Sequence, residues 1–294
     1  IACSNFPDRI AIESATEKIT YRDFKTGIDT FSQYLNNVLS LNSKVIAVCM
    51  KRSVSQICVI SGILKSGNVY LPIDTDHLSG RTMDNISNAK PDLIVTDDQT
   101  YTILENSGIL VLNYNSFNPV NEELTMTVSC YPDLNKDAYI IFTSGSTGAP
   151  KGVRIKHSSL LHFVSAAINE YAVSHHDKVL QFSSIAFDIS VEEIFISLCT
   201  GATLVLRSEE IIYSHRKFFE FVSEYKITLI DLPTSFWHEL VFALENELVT
   251  ISDSLRMVIV GGESINGQAV QSWLNLNQQK TELINTYGPT ETTV

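Results

Sequence analysis

The chain has 294 residues, enough for one or two domains, and 44% of them are hydrophobic against 18% charged. It contains no apolar run near the roughly 18 to 20 residues that a membrane span requires, which argues against a transmembrane protein. Its net charge of −12, without a lysine or arginine cluster, argues against nucleic-acid binding, because such proteins hold phosphates with basic surfaces. Five scattered cysteines without a CxxC pair favour a reducing, cytoplasmic setting.

Short β-branched runs alternate with amphipathic stretches, a pattern typical of parallel strands connected by helices. The first helices are predicted at 22–39 and 54–65. We predict two Rossmann-like α/β halves with largely parallel sheets wrapped by helices. The segment 116–136 is the least regular and is interpreted as the connection between the halves. The predicted strands cover 45–50, 93–97, 109–114, 139–143, 179–183, 203–206, 227–232, 257–262 and 283–288.

The segment TSGSTGAPKG at 143–152 combines hydroxyl groups, glycines and one lysine directly after a predicted strand. Glycines let the backbone turn, hydroxyls donate to phosphate oxygens, and Lys151 adds a compact positive charge. We expect a helix near 158–171 next, the strand–loop–helix setting that anion sites use. The segment is not a Walker A loop, because Pro150 precedes Lys151 and Gly152 follows it. A flexible surface loop is the alternative, but the ordered pattern favours a polyphosphate-binding loop.

Three more suggestive segments also follow predicted strands: FDIS at 187–190, VGGES at 260–264 and NTYGPTE at 285–291. In open α/β sheets, ligands bind beyond the carboxyl ends of the strands. Two earlier segments, ITYRDF at 19–24 and LKSGNVYLPID at 64–74, complete the set. In this order and at these intervals, the segments resemble the adenylate-forming enzymes, and specifically the amino-acid-activating adenylation domains of nonribosomal peptide synthetases. The resemblance covers nearly the whole chain.

This resemblance implies the large N-terminal core of the adenylate-forming fold. It also implies that a carboxylate reacts with ATP to give an acyl-adenylate and pyrophosphate. The acyl group then passes to a phosphopantetheine thiol on a peptidyl carrier domain, with adjacent synthetase domains as further partners. Residues 1–294 would form an incomplete core, without the small C-terminal domain whose lysine drives adenylation. We therefore expect the chain alone to turn over poorly, since that lysine places the reacting carboxylate.

The resemblance also implies nucleotide contacts. Tyr287 would stack on adenine, Asn285 would contact its edge, and Thr290 would touch the α-phosphate. Glu291 would bind Mg²⁺ through a hard oxygen. Lys151, Thr290 and Glu291 would be the catalytic residues of this chain. The residues that would bind ATP are Thr143, Ser144, Gly145, Ser146, Thr147, Gly148, Lys151, Gly262, Glu263, Asn285, Thr286, Tyr287, Gly288 and Thr290.

For the substrate, the resemblance assigns Asp188 to the α-ammonium group, which favours an amino acid over a plain carboxylic acid. Glu192 and Asp231 add two carboxylates, which would repel each other in an apolar cleft unless a cation lies between them. We therefore predict a basic amino acid, with arginine ahead of lysine or ornithine because its planar fork can pair with two acids. The predicted substrate-binding residues are Phe187, Asp188, Ile189, Glu192, Asp231, Ile259, Gly261, Thr286 and Val294.

Several alternatives stay open at this point. Glu192 or Asp231 could instead point to solvent or cap a helix, and one of the adjacent Glu192 and Glu193 must face elsewhere. A pocket with room for arginine could also accept tyrosine. A fatty-acid or aryl-acid ligase would use the same loop, and Asp188 is the feature against it. A noncatalytic nucleotide-binding or scaffold fragment is the alternative of a different class.

Overall fold

The computed structural model describes residues 2–39, 43–75, 86–117, 132–143, 150–246, 249–277 and 281–294. The helices are α1 (Ala2–Asn5), α2 (Tyr21–Leu39), α3 (Val54–Lys65), α4 (Asp98–Leu104), α5 (His157–Glu170), α6 (Ile189–Thr200), α7 (His215–Glu224), α8 (Thr234–Asn246) and α9 (Gly267–Leu276). The strands are β1 (Ile10–Glu13), β2 (Lys18–Thr20), β3 (Val45–Cys49), β4 (Val69–Pro72), β5 (Leu93–Thr96), β6 (Val111–Asn113), β7 (Asp137–Thr143), β8 (Lys151–Lys156), β9 (Lys178–Gln181), β10 (Thr203–Leu206), β11 (Leu229–Pro233), β12 (Met257–Gly261) and β13 (Glu282–Asn285).

The strands form two sheets. The seven-stranded sheet has the order β13-β12-β11-β9-β10-β1-β2, and the six-stranded sheet has the order β6-β5-β3-β4-β7-β8. Antiparallel pairing occurs at one edge of each sheet, between β1 and β2 and between β7 and β8, and the other neighbouring strands are parallel. The prediction of two largely parallel sheets wrapped by helices is confirmed.

The helices form three layers around the two sheets. Between the sheets, α2, α3, α5 and α6 share one apolar core with the six-stranded sheet, and α2, α3 and α6 also pack on β1 and β10 of the other. The outer face of the seven-stranded sheet is covered by α7, α8 and α9, and α4 packs on the outer face of the six-stranded sheet. Within the described ranges, no helix has the length and apolar character needed to cross a membrane.

Two predictions about chain organisation are wrong. The segment 116–136 does not connect the halves, because β6 and β7 on either side of it belong to the same six-stranded sheet. The chain instead passes between sheets through α2 and through α5, and the seven-stranded sheet takes its edge strands from the start of the chain. The helix predicted near 158–171 is present as α5, but it does not directly follow the segment 143–152. The strand β8 begins at Lys151 and runs antiparallel to β7, so the predicted strand–loop–helix setting is wrong.

Local chemistry sets the ends of the helices that flank the site. Ser53 caps α3 by accepting a hydrogen bond from the backbone N–H of Gln56. Helix α6 ends at Gly201, whose φ of +88° lies in the left-handed region that favours glycine. A Cβ at Gly201 would also lie 2.3 Å from the Phe6 ring, so only glycine fits between this helix end and the first turn of the chain.

Candidate active site

Several predicted site residues lie where strands of the seven-stranded sheet end. β11, β12 and β13 are parallel neighbours, and their register places Asp231 beside Ile259, Pro233 beside Gly261, and Val260 beside Asn285. Parallel strands present their carboxyl ends at the same edge, which is where α/β sheets bind ligands. The sheet therefore gathers segments that are separated by about 50 residues in the sequence, as the motif order predicts.

Asp188 begins α6 and meets Thr290. Its Oδ1 accepts a hydrogen bond from the backbone N–H of Ile189 at 3.0 Å, which caps the helix. Its Oδ2 accepts a hydrogen bond from Thr290 Oγ1 at 2.5 Å, although the two residues are 102 positions apart. The fold thus joins the residue predicted to bind the α-ammonium group to the residue predicted to touch the α-phosphate.

Glu192 and Asp231 form a buried acid pair. Their exposed fractions are 3% and 2%, so neither points to solvent. Leu229 packs in the core between the sheets, and Asp231, two residues later on β11, lies on the same face of the strand. Glu192 lies on the first turn of α6. The two carboxyl groups influence each other's pKa, and Tyr171 also influences the pKa of Glu192. The predicted convergence of the two acids is therefore present, and Tyr171 is a neighbour that sequence reasoning missed.

The surroundings of the acid pair favour its protonation. Burial, reinforced by the charge of Glu192, raises the pKa of Asp231 well above its usual range, and burial also raises the pKa of Glu192. One oxygen of each group, Glu192 Oε1 and Asp231 Oδ2, has no hydrogen-bond donor among the described residues. A single proton on the pair would supply the donor that two carboxylates lack. The negative charge of Asp188 also acts on both acids and raises the pKa of each.

Glu193 faces away from this pair, as its adjacency to Glu192 requires, yet it is also fully buried. Its carboxylate accepts hydrogen bonds from the backbone N–H groups of Phe182 and Ser183. Sequence reasoning treated Glu193 only as the residue that points elsewhere. The missed signal is an acid in the middle of an apolar helical stretch, which is buried only when it has partners.

The turn after β12 is built for close approach of a ligand. The hydroxyl of Thr234, a buried residue that sequence reasoning missed, donates to the carbonyl oxygens of Gly261 at 3.0 Å and Glu263 at 3.2 Å. Gly262 has a φ of +87°, and a Cβ there would meet no atom within 4 Å. A Cβ at Gly261 would lie 2.6 Å from Thr286 Oγ1. Gly262 and Glu263 are therefore presented at the surface, while Gly261 is packed against Thr286.

The last ten residues fold back on themselves. A Cβ at Gly288 would lie 2.8 Å from the carbonyl oxygen of Val294, so the glycine permits the return. Val294 packs against the core between the sheets. Tyr287 is 98% exposed and Glu291 is also exposed, within the 3-10 turn Thr290–Thr292. An open ring and an open carboxylate beside Thr290 suit the predicted contacts with a nucleotide and its metal ion.

The predicted phosphate loop is described only at its two ends. Ser144, Gly145, Ser146, Thr147 and Gly148 lie outside the described residues. Thr143 and Lys151 face each other as the last and first residues of β7 and β8. Lys151 is exposed, and β8 contacts the 3-10 turn that carries Thr290 and Glu291.

The remaining predicted substrate contacts surround the same edge. Phe187 is 61% exposed, Ile189 is half-buried at the start of α6, and Ile259 is fully buried beside Asp231. A cavity of about 780 Å³ opens elsewhere, beside the turn at 14–17, the start of α3 and the end of β10. Its described lining contains none of the predicted substrate-binding residues. The candidate site therefore lies at the carboxyl ends of β11, β12 and β13, above the buried Glu192 and Asp231, and not in this cavity.

Comparison with known protein families identifies the family of this chain. The family described as AMP-binding enzyme matches residues 1–294. The chain belongs to the AMP-binding enzyme family. It is 34% identical over 288 residues to the isonitrile lipopeptide synthase of Streptomyces coeruleorubidus and 28% identical over 293 residues to tyrocidine synthase 1 of Brevibacillus parabrevis. These alignments cover 97% and 98% of the chain but 20% and 26% of the two synthases.

Solved structures show the same AMP-binding fold. A nonribosomal peptide synthetase, FmoA3, superposes with a TM-score of 0.88 over 99% of the chain and 31% of its own, at 23% identity. The N-terminal subdomain of Klebsiella oxytoca NpsA, in complex with 3-hydroxybenzoyl-AMSN, gives 0.84 over 100% of the chain and 72% of its own, also at 23% identity. Together with the family match, they identify the chain as the N-terminal part of an adenylation domain, and the resemblance read from the motifs is confirmed.

Proposed function

We propose that this chain supplies the ATP-binding and substrate-binding part of an adenylating ligase that activates an amino acid. The observation that supports this function best is the hydrogen bond between Asp188 and Thr290. It joins a carboxylate suited to an α-ammonium group to a hydroxyl suited to a phosphate oxygen. An amino acid held by Asp188 therefore has its own carboxylate close to the α-phosphate of ATP, which is the placement that the reaction needs.

In the proposed reaction, an oxygen of the amino-acid carboxylate bonds to the α-phosphorus of ATP. The bond from that phosphorus to the bridging oxygen breaks, and pyrophosphate leaves with its electron pair. The Thr290 hydroxyl has a single hydrogen, so it would turn from Asp188 to donate to the α-phosphate once the substrate ammonium group occupies Asp188. Lys151 and Thr143 would contact the outer phosphates with the intervening loop. Tyr287 and Asn285 would hold adenine, with the turn at 261–263 and Gly288 beside it.

Mg²⁺ would neutralise charge on the phosphates, and Glu291 is the residue that would hold it. Among the described residues, no group of three or more His, Cys, Asp and Glu side chains is placed to bind a metal ion. One exposed carboxylate fits Mg²⁺ nonetheless, because this ion is commonly held by one or two carboxylates together with substrate phosphates and water.

The proposed substrate is a basic amino acid, with arginine ahead of lysine or ornithine. The acid pair of Glu192 and Asp231 supports this choice, since it places two carboxyl groups in a buried position where the charge of Asp188 also acts. A guanidinium group can donate to both acids at once, whereas an ammonium group acts as a point charge. The protonated pair can also accept and donate hydrogen bonds, so the phenol of tyrosine is the nearest competing side chain.

In the parent protein, we propose that the aminoacyl group passes to the phosphopantetheine thiol of a carrier domain, beside further synthetase domains, in the cytoplasm. The multidomain relatives support the carrier, and the scattered free cysteines support a reducing compartment.

The second candidate is an acyl- or aryl-acid ligase of the same family. The NpsA subdomain, solved with 3-hydroxybenzoyl-AMSN, gives this alternative a structural precedent at the level of the fold. The presence of Asp188 at the start of α6 argues against it, because an aryl acid has no ammonium group to neutralise this carboxylate.

ATP–pyrophosphate exchange by the full-length protein tests these candidates. The assay would survey the twenty amino acids, ornithine, 3-hydroxybenzoate and anthranilate. We expect arginine to give the strongest signal and the Asp188→Asn variant to lose it. Strong exchange with small aliphatic residues alone would contradict the acidic-pocket proposal, and exchange with aryl acids alone would favour the second candidate. No exchange with any acid would favour a noncatalytic fragment.

A further inference from the structure

A short segment between β9 and α6 is held by charged side chains from three separate elements. β9 ends at Gln181, and residues 181–183 lead into the turn that carries Asp188. Buried backbone groups beyond the end of a strand need new hydrogen-bond partners, because the sheet no longer supplies them. We call residues 181–183 the linker segment.

Glu193 binds the donors of the linker segment. Its Oε1 accepts hydrogen bonds from the backbone N–H groups of Phe182 at 3.1 Å and Ser183 at 3.0 Å. Its Oε2 accepts a hydrogen bond from Gln181 Nε2 at 2.9 Å. Glu193 is 0% exposed and sits on α6, the helix that Asp188 caps. A buried carboxylate therefore ties the start of α6 to the end of β9.

Arg52 and Arg207 bind the acceptors of the same segment. Arg52 donates to the carbonyl oxygens of Gln181 at 2.9 Å and of Phe182 and Ser183 at 3.1 Å each. It also donates to the side-chain oxygen of Gln181. Arg207 Nε donates to the carbonyl oxygen of Phe182 at 2.7 Å. Arg52 follows β3 of the six-stranded sheet, so the contacts also join the two sheets.

We propose that Glu193 and Arg52 are positioning residues that place the carboxylate of Asp188 for the α-ammonium group of the substrate. The proposal rests on the proposed function, because it assumes that Asp188 binds that group. Two parts of the chain are covalently connected to Asp188: the linker segment, through residues 184–187, and α6, which begins at the next residue. These are the two routes by which a displacement can reach Asp188. Glu193 lies on α6 and binds the linker segment, so a shift of its carboxylate moves Asp188 relative to the ends of β11 and β12. Of the nucleotide contacts, Thr290 touches Asp188 itself, whereas Asn285 and Tyr287 belong to neither route.

Replacing Glu193 by glutamine places a donor where an acceptor is needed. A glutamine has one acceptor oxygen, and the two backbone N–H groups use it. Its NH₂ group would then face Gln181 Nε2, which is also a donor. If the Gln181 amide turned over, its NH₂ group would face the guanidinium of Arg52, which is also a donor. Either orientation of Gln181 therefore leaves two donors facing each other. The hydrogen bonds cannot all form unless the linker segment moves.

The test is pyrophosphate exchange by the full-length protein with Glu193→Gln and with Arg52→Lys. We expect the KM for the amino acid to rise about tenfold in each, the cost of one strained charged hydrogen bond, while the KM for ATP stays within about twofold. Asp177→Asn is the matched control. Asp177 is also a buried carboxylate paired with an arginine, Arg256, but at the opposite end of β9. It should lower the melting temperature and leave both KM values unchanged.

A purely structural role predicts a different outcome. If the two KM values rise together, or neither rises while the wild type is active, the positioning role is wrong. If Glu193→Gln does not fold, Arg52→Lys carries the test, because it keeps the positive charge and loses only the planar fork. An inactive wild type would overturn the proposed function and this inference with it, and is recognised by the absence of exchange before any substitution.

Discussion

Asp231→Asn should make the stability of the protein less dependent on pH. In the wild type, Asp231 is 2% exposed, and burial together with the neighbouring Glu192 raises its pKa well above the value of 3.8 expected in the unfolded chain. The folded state therefore binds a proton that the unfolded state releases. For such an acid, the free energy of unfolding falls as the pH rises above the unfolded pKa, until the folded pKa is reached.

The size of the effect follows from one bound proton. Each pH unit in that window lowers the free energy of unfolding of the wild type by about 1.4 kcal/mol for every extra proton held by the folded state. The loss accumulates from the unfolded pKa up to the folded pKa of Asp231 and ends there. Asparagine keeps the shape and supplies a permanent N–H donor to Glu192. The variant should therefore lose less stability than the wild type within that window, by about 1.4 kcal/mol for each pH unit.

Urea unfolding of this chain at several pH values measures the difference, followed by the fluorescence of the buried Trp237 and Trp273. Asp8→Asn is the control, because the side chain of Asp8 is 81% exposed and forms a surface ion pair with the exposed Arg22. Its pH dependence should match that of the wild type. Parallel pH profiles for wild type and Asp231→Asn would refute the shared-proton description of the acid pair.

Three further experiments test the site and the fold. Thr290→Val removes the 2.5 Å hydrogen bond to Asp188 and should slow pyrophosphate exchange about tenfold, whereas Thr290→Ser should retain most of the rate. Gly261→Ala places a methyl group 2.6 Å from Thr286 Oγ1, so the free energy of unfolding should fall, and the double variant with Thr286→Gly should recover part of it; no recovery in urea unfolding would contradict the contact. Gly201→Ala should lower the free energy of unfolding by about 3 kcal/mol in urea, because φ is +88° and the Phe6 ring occupies the space; an unchanged midpoint would contradict this packing.

The motifs could be located from the sequence because each is a short local run whose residue types suit one ligand. FDIS, VGGES and NTYGPTE each follow a strand, and the sheet does bring their residues together at one edge. The strand that follows the predicted phosphate loop could not be predicted in the same way. A six-residue strand with only one buried position, β8, resembles a solvated connection, and only its pairing with β7 makes it a strand.

The acid pair illustrates the other limit of sequence reasoning. Glu192 and Glu193 are identical neighbours, and nothing in the local sequence says that one lies beside Asp231 while the other binds the 181–183 backbone. Both are buried, so burial alone does not separate their roles. The separation comes from the roughly 100° between successive helix positions and from the packing of α6 between the two sheets.

The sequence by itself determined the family, the α/β class and the residue types available to ATP and an amino acid, because these depend on contiguous motifs and on local periodicity. Only the tertiary structure decided which strands are neighbours, that Thr290 reaches Asp188 across 102 positions, and that Glu192 and Asp231 are buried together. These features depend on long-range register and on burial. Both are properties of the packed chain, in which a carboxylate loses its water and must find a partner in a distant segment.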